Sequence, residues 1–197
     1  MKAFNTITFC LLVFFAANVV SAQTSFQNGL EFKIQLIDGN TYGVYVKPNS
    51  SISPSSKTQA GSGQVTLVTP VGFAYSNLQN ISGTWIENAR VDAPAEANDK
   101  SYISFGFVTD EPRIKLFPNE ETLLFTFTCN ATSIGQVALF DNNNDPFMTP
   151  NSYNSNPGND LGIIDLGAKG GTAFYNYAGN YSTDSEDMRN LAALAKK

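Results

Sequence analysis

The chain has 197 residues, with 12 Lys and Arg against 17 Asp and Glu, which gives a formal net charge of −5. This acidic balance argues against binding to the phosphate backbone of nucleic acids, so we expect no nucleic-acid partner. The sequence contains no histidine, which excludes Ser-His-Asp and Cys-His catalysis and imidazole metal sites. Charged residues make up only 15%, against roughly 25% in an average soluble domain. Low charge with many turn-forming residues is typical of a β-rich extracellular domain.

Residues Met1–Ala22 have the pattern of a secretory signal peptide. Lys2 supplies the positive charge, and Phe9–Ala17 is an apolar stretch shorter than the about 20 residues of a membrane span. Small residues precede a cleavage site after Ala22; the alternative is an uncleaved anchor. We therefore expect a secreted protein, extracellular or at the cell surface, whose mature chain begins at Gln23 and has no transmembrane segment.

Short runs with the two-residue alternation of β-strands begin at Leu30. Leu30–Ile37 and Thr41–Lys47 flank the turn signal Asp38-Gly39-Asn40 and predict an opening hairpin. Asn49–Gly63 is rich in Ser, Thr and Gly, which predicts a mobile loop. Further strands are predicted at Gln64–Thr69, Thr84–Val91, Tyr102–Val108, Leu123–Cys129, Gln136–Phe140 and Leu161–Leu166.

No helical periodicity interrupts these runs, so residues 23–182 predict one all-β domain, a jelly-roll-type β-sandwich of eight or nine strands. Cys129 is the one cysteine of the expected mature chain, and we expect a buried, small apolar residue at a strand end. Residues 183–197 combine the capping-box spacing of Thr183 and Glu186 with an apolar stripe, which predicts a short C-terminal amphipathic helix. That segment has three interpretations: a helix docked on its own sandwich, a helix docked on a neighbouring subunit, or a frayed tail.

The loop Asp141–Phe147 (DNNNDPF) carries the residues most suited to a metal ion. Asp141, Asn143 and Asp145 have the spacing of oxygen ligands at positions 1, 3 and 5 of a calcium loop. Pro146 stands where an EF-hand requires glycine, so an EF-hand is excluded. Two interpretations remain open, a calcium-stiffened loop and a set of Asx turns that needs no ion.

Acidic residues also cluster in the stretch Asp92–Asp99 (DAPAEAND). Paired carboxylates can serve as the acid and base of a glycosidase. This stretch lies in an Ala/Pro loop without a catalytic signature, so we expect a protein that is not an enzyme.

Aromatic residues fall into two groups. Trp85 and Tyr102 lie in predicted strands, where core packing is expected. Tyr153, Tyr175 and Tyr177 lie in segments rich in Asn and Gly, and we expect these rings to be exposed, where they can stack on sugars. They are the predicted ligand-binding residues.

Several segments together resemble secreted bacterial surface modules, namely cohesins and the carbohydrate-binding-module-like β-sandwich superfamily. The segments that carry the resemblance are Ser82–Val91, Ser101–Phe107, Leu124–Phe127, Leu139–Asp141, Asp145–Phe147, Pro150–Ser152 and Gly158-Asn159. The resemblance covers roughly Leu30–Tyr181, and it implies a non-enzymatic module that binds proteins or glycans or takes part in cell adhesion.

The sequence thus leaves two hypotheses for function. The first is an extracellular binding or adhesion module that recognises a glycan or a surface protein. The alternative is a structural subunit that assembles with copies of itself into a filament or matrix. Apart from calcium, no cofactor is expected.

Overall fold

The structure is a computed structural model, and it describes residues 29–49, 52–130 and 135–182. Within these ranges the structure contains β-strands and no helix, as the alternation of apolar residues predicted. The strands are, in chain order, β1 Gly29–Asp38, β2 Thr41–Pro48, β3 Thr58–Pro70, β4 Tyr75–Asn80, β5 Thr84–Asp92, β6 Lys100–Thr109, β7 Thr122–Cys129, β8 Ala138–Leu139, β9 Asp160–Asp165 and β10 Ala173–Asn180.

Two predicted segments, the signal peptide Met1–Ala22 and the amphipathic helix at residues 183–197, lie outside the described residues. In the part of the chain that is described, no helix is long and apolar enough to cross a membrane.

The strands form one mixed sheet in the order β4-β7-β2-β1-β10-β9-β3-β6-β5, and β8 pairs with β3. β1 and β10 run parallel, and the other neighbours are antiparallel. β4 and β5 are at opposite ends of this order, yet only residues 81–83 separate them in sequence. The sheet therefore folds over, and its two halves face each other. This confirms the predicted all-β class and is consistent with a sandwich-type arrangement. The described residues form ten strands, whereas eight or nine were predicted; the jelly-roll topology stays a prediction.

The main core lies between the two halves of the sheet. Phe105 on β6 packs against Phe125 on β7 with ring centroids 5.0 Å apart, and Trp85 on β5 lies 5.6 Å from the same Phe125 ring. All three side chains are fully buried, which confirms the core position predicted for Trp85. Cys129 is also buried, as predicted, and burial raises the pKa of its thiol.

A second, smaller cluster lies on the outer face of β3 and β6. Val68 and Tyr102 project from these strands, and Phe140 and Phe147 of the loop that follows β8 cover them. The Tyr102 and Phe147 ring centroids are 4.5 Å apart. This apolar contact holds the Asn-rich loop of residues 141–159 against the sheet. Tyr102 is buried, which confirms the core position predicted for it.

One predicted loop is corrected by the structure. Asn49–Gly63 was expected to be loop throughout, but β3 begins at Thr58. Residues from Thr58 to Gln64 pair with β9, and these backbone hydrogen bonds outweigh the low strand propensity of Gly61 and Gly63.

Candidate functional site: a polar groove

A groove opens where β10 changes its pairing partner. β10 pairs with β9 through Ala173–Tyr175 and then with β1 from Asn176 onward. Because β10 leaves β9 at this point, a space of about 670 Å³ lies between the first residues of β9 and residues 176–177. Residues 62–64 of β3, Asn142 and residues 156–159 complete its lining.

Polar side chains from three neighbouring strands line this groove. Ser62 and Gln64 on β3 lie directly opposite Gly162 and Asp160 on β9, and Asn176 comes from β10. These residues share the outer face because the intervening Leu161 of β9 is buried in the core. The two-residue period of the strands therefore brings a serine, two amides and a carboxylate into one row.

Gly162 on β9 lies opposite Ser62, which lines the groove. A Cβ atom built on Gly162 would lie 3.4 Å from Ser62 Oγ and 3.9 Å from Asn176 Oδ1. Both polar atoms thus lie near the position that a side chain at residue 162 would take.

Three lining side chains are available for a ligand. Ser62, Asp160 and Asn176 make no side-chain hydrogen bond to any other described residue. The neighbouring Gln64 is instead hydrogen-bonded within the protein: its Nε2 donates to the carbonyl oxygens of Asn156 and Gly158 at 3.1 and 3.3 Å. Unpaired polar groups thus alternate with groups that fix the wall.

Asn159 holds the loop side of the groove in place. Its side chain is almost fully buried; Oδ1 accepts from the Thr66 N–H at 2.9 Å, and Nδ2 donates to the Phe140 carbonyl at 2.7 Å. Asn180 Nδ2 donates to the same Phe140 carbonyl at 2.8 Å. This amide network links β3, the loop after β8 and β10, so the groove walls are preformed.

Gly158 is fixed by a reciprocal pair of hydrogen bonds with Thr66. Thr66 Oγ1 donates to the Gly158 carbonyl at 2.8 Å and accepts from the Gly158 N–H at 3.1 Å. The same hydroxyl lies 2.9 Å from Ser104 Oγ. The hydroxyls of Thr66 on β3 and Ser104 on β6 therefore form a hydrogen-bonded pair that positions the loop at Gly158.

The predicted calcium residues take part in turns. Asp141 Oδ1 accepts from the Asn143 N–H at 2.9 Å and Oδ2 accepts from Asn144 Nδ2 at 3.1 Å, and these bonds hold the pKa of the Asp141 carboxyl below its usual range. Asp145 is buried, and its Oδ1 accepts from the Tyr102 hydroxyl at 2.8 Å and the Phe147 N–H at 2.9 Å.

These contacts are those of the Asx-turn interpretation. Over the described ranges, no three His, Cys, Asp or Glu residues lie together in an arrangement that could hold a metal ion. A calcium site at Asp141, Asn143 and Asp145 stays a prediction, and neither carboxylate lines the groove.

The predicted tyrosines occupy three different environments. Tyr153 is 53% exposed and is not one of the residues that line the groove; its ring centroid lies 6.0 Å from that of Phe147. Tyr177 is half-buried and lines the groove; its hydroxyl donates to Asn180 Oδ1 at 3.0 Å, and burial raises its pKa to about 12.

The exposure expected for Tyr175 is wrong. Only 3% of this residue is accessible, because it pairs with Ile163 on the inner face of β9 and β10. Its hydroxyl donates to Asp165 Oδ2 at 3.0 Å. Tyr175 thus belongs to the core, whereas its sequence neighbour Asn176 faces the groove.

The acidic stretch Asp92–Asp99 does not reach the groove. Asp92 Oδ1 accepts from Ser101 Oγ at 2.5 Å, and the Glu96 carboxylate accepts from the Ser152 N–H at 2.6 Å and from Ser152 Oγ at 2.8 Å. Glu96 thereby ties its loop to the Asn-rich loop.

The comparisons with known proteins add no relative. No protein family, no curated protein and no solved structure matches the chain. The groove therefore has to be interpreted from its own chemistry.

Proposed function

We propose that this chain is a non-enzymatic extracellular binding module that recognises a glycan in the polar groove. The observation that carries the proposal is the set of three unpaired polar side chains, Ser62, Asp160 and Asn176, that line one groove. The secretory pattern of Met1–Ala22 supports a location where free glycans and cell-surface glycans occur.

The chemistry of the groove suits a polyhydroxylated ligand. Small-molecule sites usually have mainly apolar linings with few polar groups, whereas most residues that line this groove are polar. Hydroxyl, amide and carboxylate groups between them donate to and accept from sugar hydroxyls. Tyr177 adds an aromatic surface at one wall.

A glycan array with purified mature protein tests this proposal. We expect binding to at least one neutral oligosaccharide, with Ser62→Ala and Asn176→Ala each weakening it roughly five- to tenfold, as one lost hydrogen bond predicts. Asn98→Ala, an exposed asparagine outside the groove, serves as the matched control and should bind like the wild type.

The same preparation tests the alternative hypothesis of a self-assembling subunit. Sedimentation analysis reports the oligomeric state at the protein concentrations used on the array. A protein that binds no glycan and forms large assemblies would contradict the binding proposal and favour the structural subunit.

A further inference from the structure

Asp160 stands apart from the other residues that line the groove. Of the described residues that line the groove, it alone carries a formal charge, and none of them is Lys or Arg. Its carboxylate is exposed and makes no hydrogen bond to another described residue. The wall of β9 therefore presents an uncompensated negative charge to whatever enters.

The position of Asp160 is fixed by the sheet. Its backbone pairs with Gln64 on β3, and the adjacent Asn159 is locked by the amide network described above. The carboxylate thus stands on a rigid strand end, beside the amide of Gln64. A preorganised carboxylate can accept hydrogen bonds from two neighbouring hydroxyls at once.

The same charge acts against anions. A second negative charge about 4 Å away costs about 1 kcal/mol in water and more where solvent is partly excluded. None of the described residues that line the groove is a cation that would offset that repulsion. Uronic acids, sialic acids and sulfated sugars would meet this repulsion, whereas neutral sugars would gain the carboxylate as an acceptor.

We infer that Asp160 is a specificity-determining residue that selects neutral glycans and rejects anionic ones; the inference rests on the proposed function of the groove. Asp160 would contact the ligand through a pair of adjacent hydroxyls. Ser62 and Asn176, which line the same groove, would bind other hydroxyls of the ligand.

The test compares one oligosaccharide in a neutral and an anionic form. The tightest neutral oligosaccharide from the array is oxidised at its primary hydroxyls to the corresponding uronic acids, and both forms are titrated by calorimetry at low salt. We expect the wild type to prefer the neutral form by roughly five- to tenfold or more. Asp160→Asn should weaken binding of the neutral form roughly five- to tenfold and bind the oxidised form at least as tightly as the wild type does.

The controls separate charge from other causes. Asp99→Asn removes an exposed carboxylate that is not part of the groove and should leave both affinities unchanged. Raising the salt concentration should reduce the wild-type preference and leave Asp160→Asn unaffected.

Two results would overturn this inference. One is a wild-type protein that binds the oxidised form as tightly as the neutral form, and the other is a preference that survives Asp160→Asn. An array in which only anionic glycans bind would overturn the inference while leaving glycan recognition intact. Binding to no glycan at all would remove the proposed function itself.

Discussion

The side-chain amide of Asn142 pairs with both backbone groups of Asn159. Asn142 Nδ2 donates to the Asn159 carbonyl at 2.9 Å, and Asn142 Oδ1 accepts from the Asn159 N–H at 2.9 Å. One side chain thus imitates the pairing of a neighbouring strand. It extends the hydrogen bonding of β9 to Asn159, the residue before the first residue of the strand. Asn142 and Asn159 both line the groove, so their pairing fixes its loop side.

Removing this pair should destabilise the fold. In Asn142→Ala, the backbone N–H and C=O of the buried Asn159 lose their partners, which we expect to cost about 1–3 kcal/mol. Urea denaturation of wild type and variant measures the difference. Asn144→Ala, which loses one exposed bond to Asp141, should cost less than about 1 kcal/mol; equal losses in the two variants would argue against a special role for Asn142.

Asp165 should make stability depend on pH. Its fully buried carboxylate accepts from the Ser55 N–H at 2.7 Å, the Ser55 hydroxyl, the Gly167 N–H at 2.9 Å and the Tyr175 hydroxyl. Burial alone would raise the pKa of Asp165, but these hydrogen bonds outweigh it and hold the pKa below its usual range.

A lowered pKa in the folded state contributes stability above the unfolded value, about 3.9, and that contribution is lost as the pH falls through the folded value. Asp165→Asn should therefore cost about 3 kcal/mol at pH 7. The difference from wild type should shrink as the pH falls from 4 towards 2. A difference that stays constant over that range would show that the carboxylate charge does not contribute.

The pair of Lys33 and Glu121 predicts an asymmetric mutational response. Lys33 is 4% exposed although it lies on the outer face of β1, and its Nζ is 2.6 and 2.7 Å from the two Glu121 carboxylate oxygens. The same Nζ lies 4.8 Å from the centroid of the Tyr45 ring and 5.6 Å from that of Tyr181.

Glu121→Gln leaves a buried ammonium without its counter-ion, and we expect a loss of about 2–3 kcal/mol. Lys33→Met with Glu121→Gln removes both charges and should restore most of that loss. Thermal denaturation of the single and double variants measures the coupling. Additive effects would contradict a coupled pair.

The calcium hypothesis for Asp141, Asn143 and Asp145 has a direct test. A bound ion adds about 2.7 kcal/mol at a hundredfold excess over Kd, so millimolar calcium should raise Tm by several degrees. A chelator should reverse the rise, and Asp141→Ala with Asp145→Ala should abolish it. An unchanged wild-type Tm would leave the loop as Asx turns.

Strands whose inner residues are large and apolar could be predicted from the sequence. Phe32 and Ile34 on β1 and Val44 and Val46 on β2 pack on the core, and their alternation is visible in the sequence. β4 (YSNLQN) and β10 (AFYNYAGN) escaped prediction because Asn and Gly, which favour turns, interrupt the alternation. The error for Tyr175 has the same origin.

The groove could not be predicted from the sequence. Ser62, Asp160 and Asn176 lie far apart in the chain, and only the register of β3 with β9 and the change of partner by β10 bring them together. Local spacing indicated a site at Asp141–Asp145 because those residues are neighbours in sequence. The signal that was available was the alternation of glycine with polar residues in Gly61–Gln64, because glycine within a strand often marks a place where a ligand or another backbone approaches closely.

The parallel contact of β1 and β10 also determines how the domain would carry tension. Gly29 lies beside Asn176 and Phe32 beside Asn180. The chain therefore enters β1 at one end of the paired region and leaves β10 at the opposite end. Traction applied to the chain before Gly29 and after Asn180 would slide the two strands lengthwise past each other. The hydrogen bonds between them would then be loaded together instead of opening one after another.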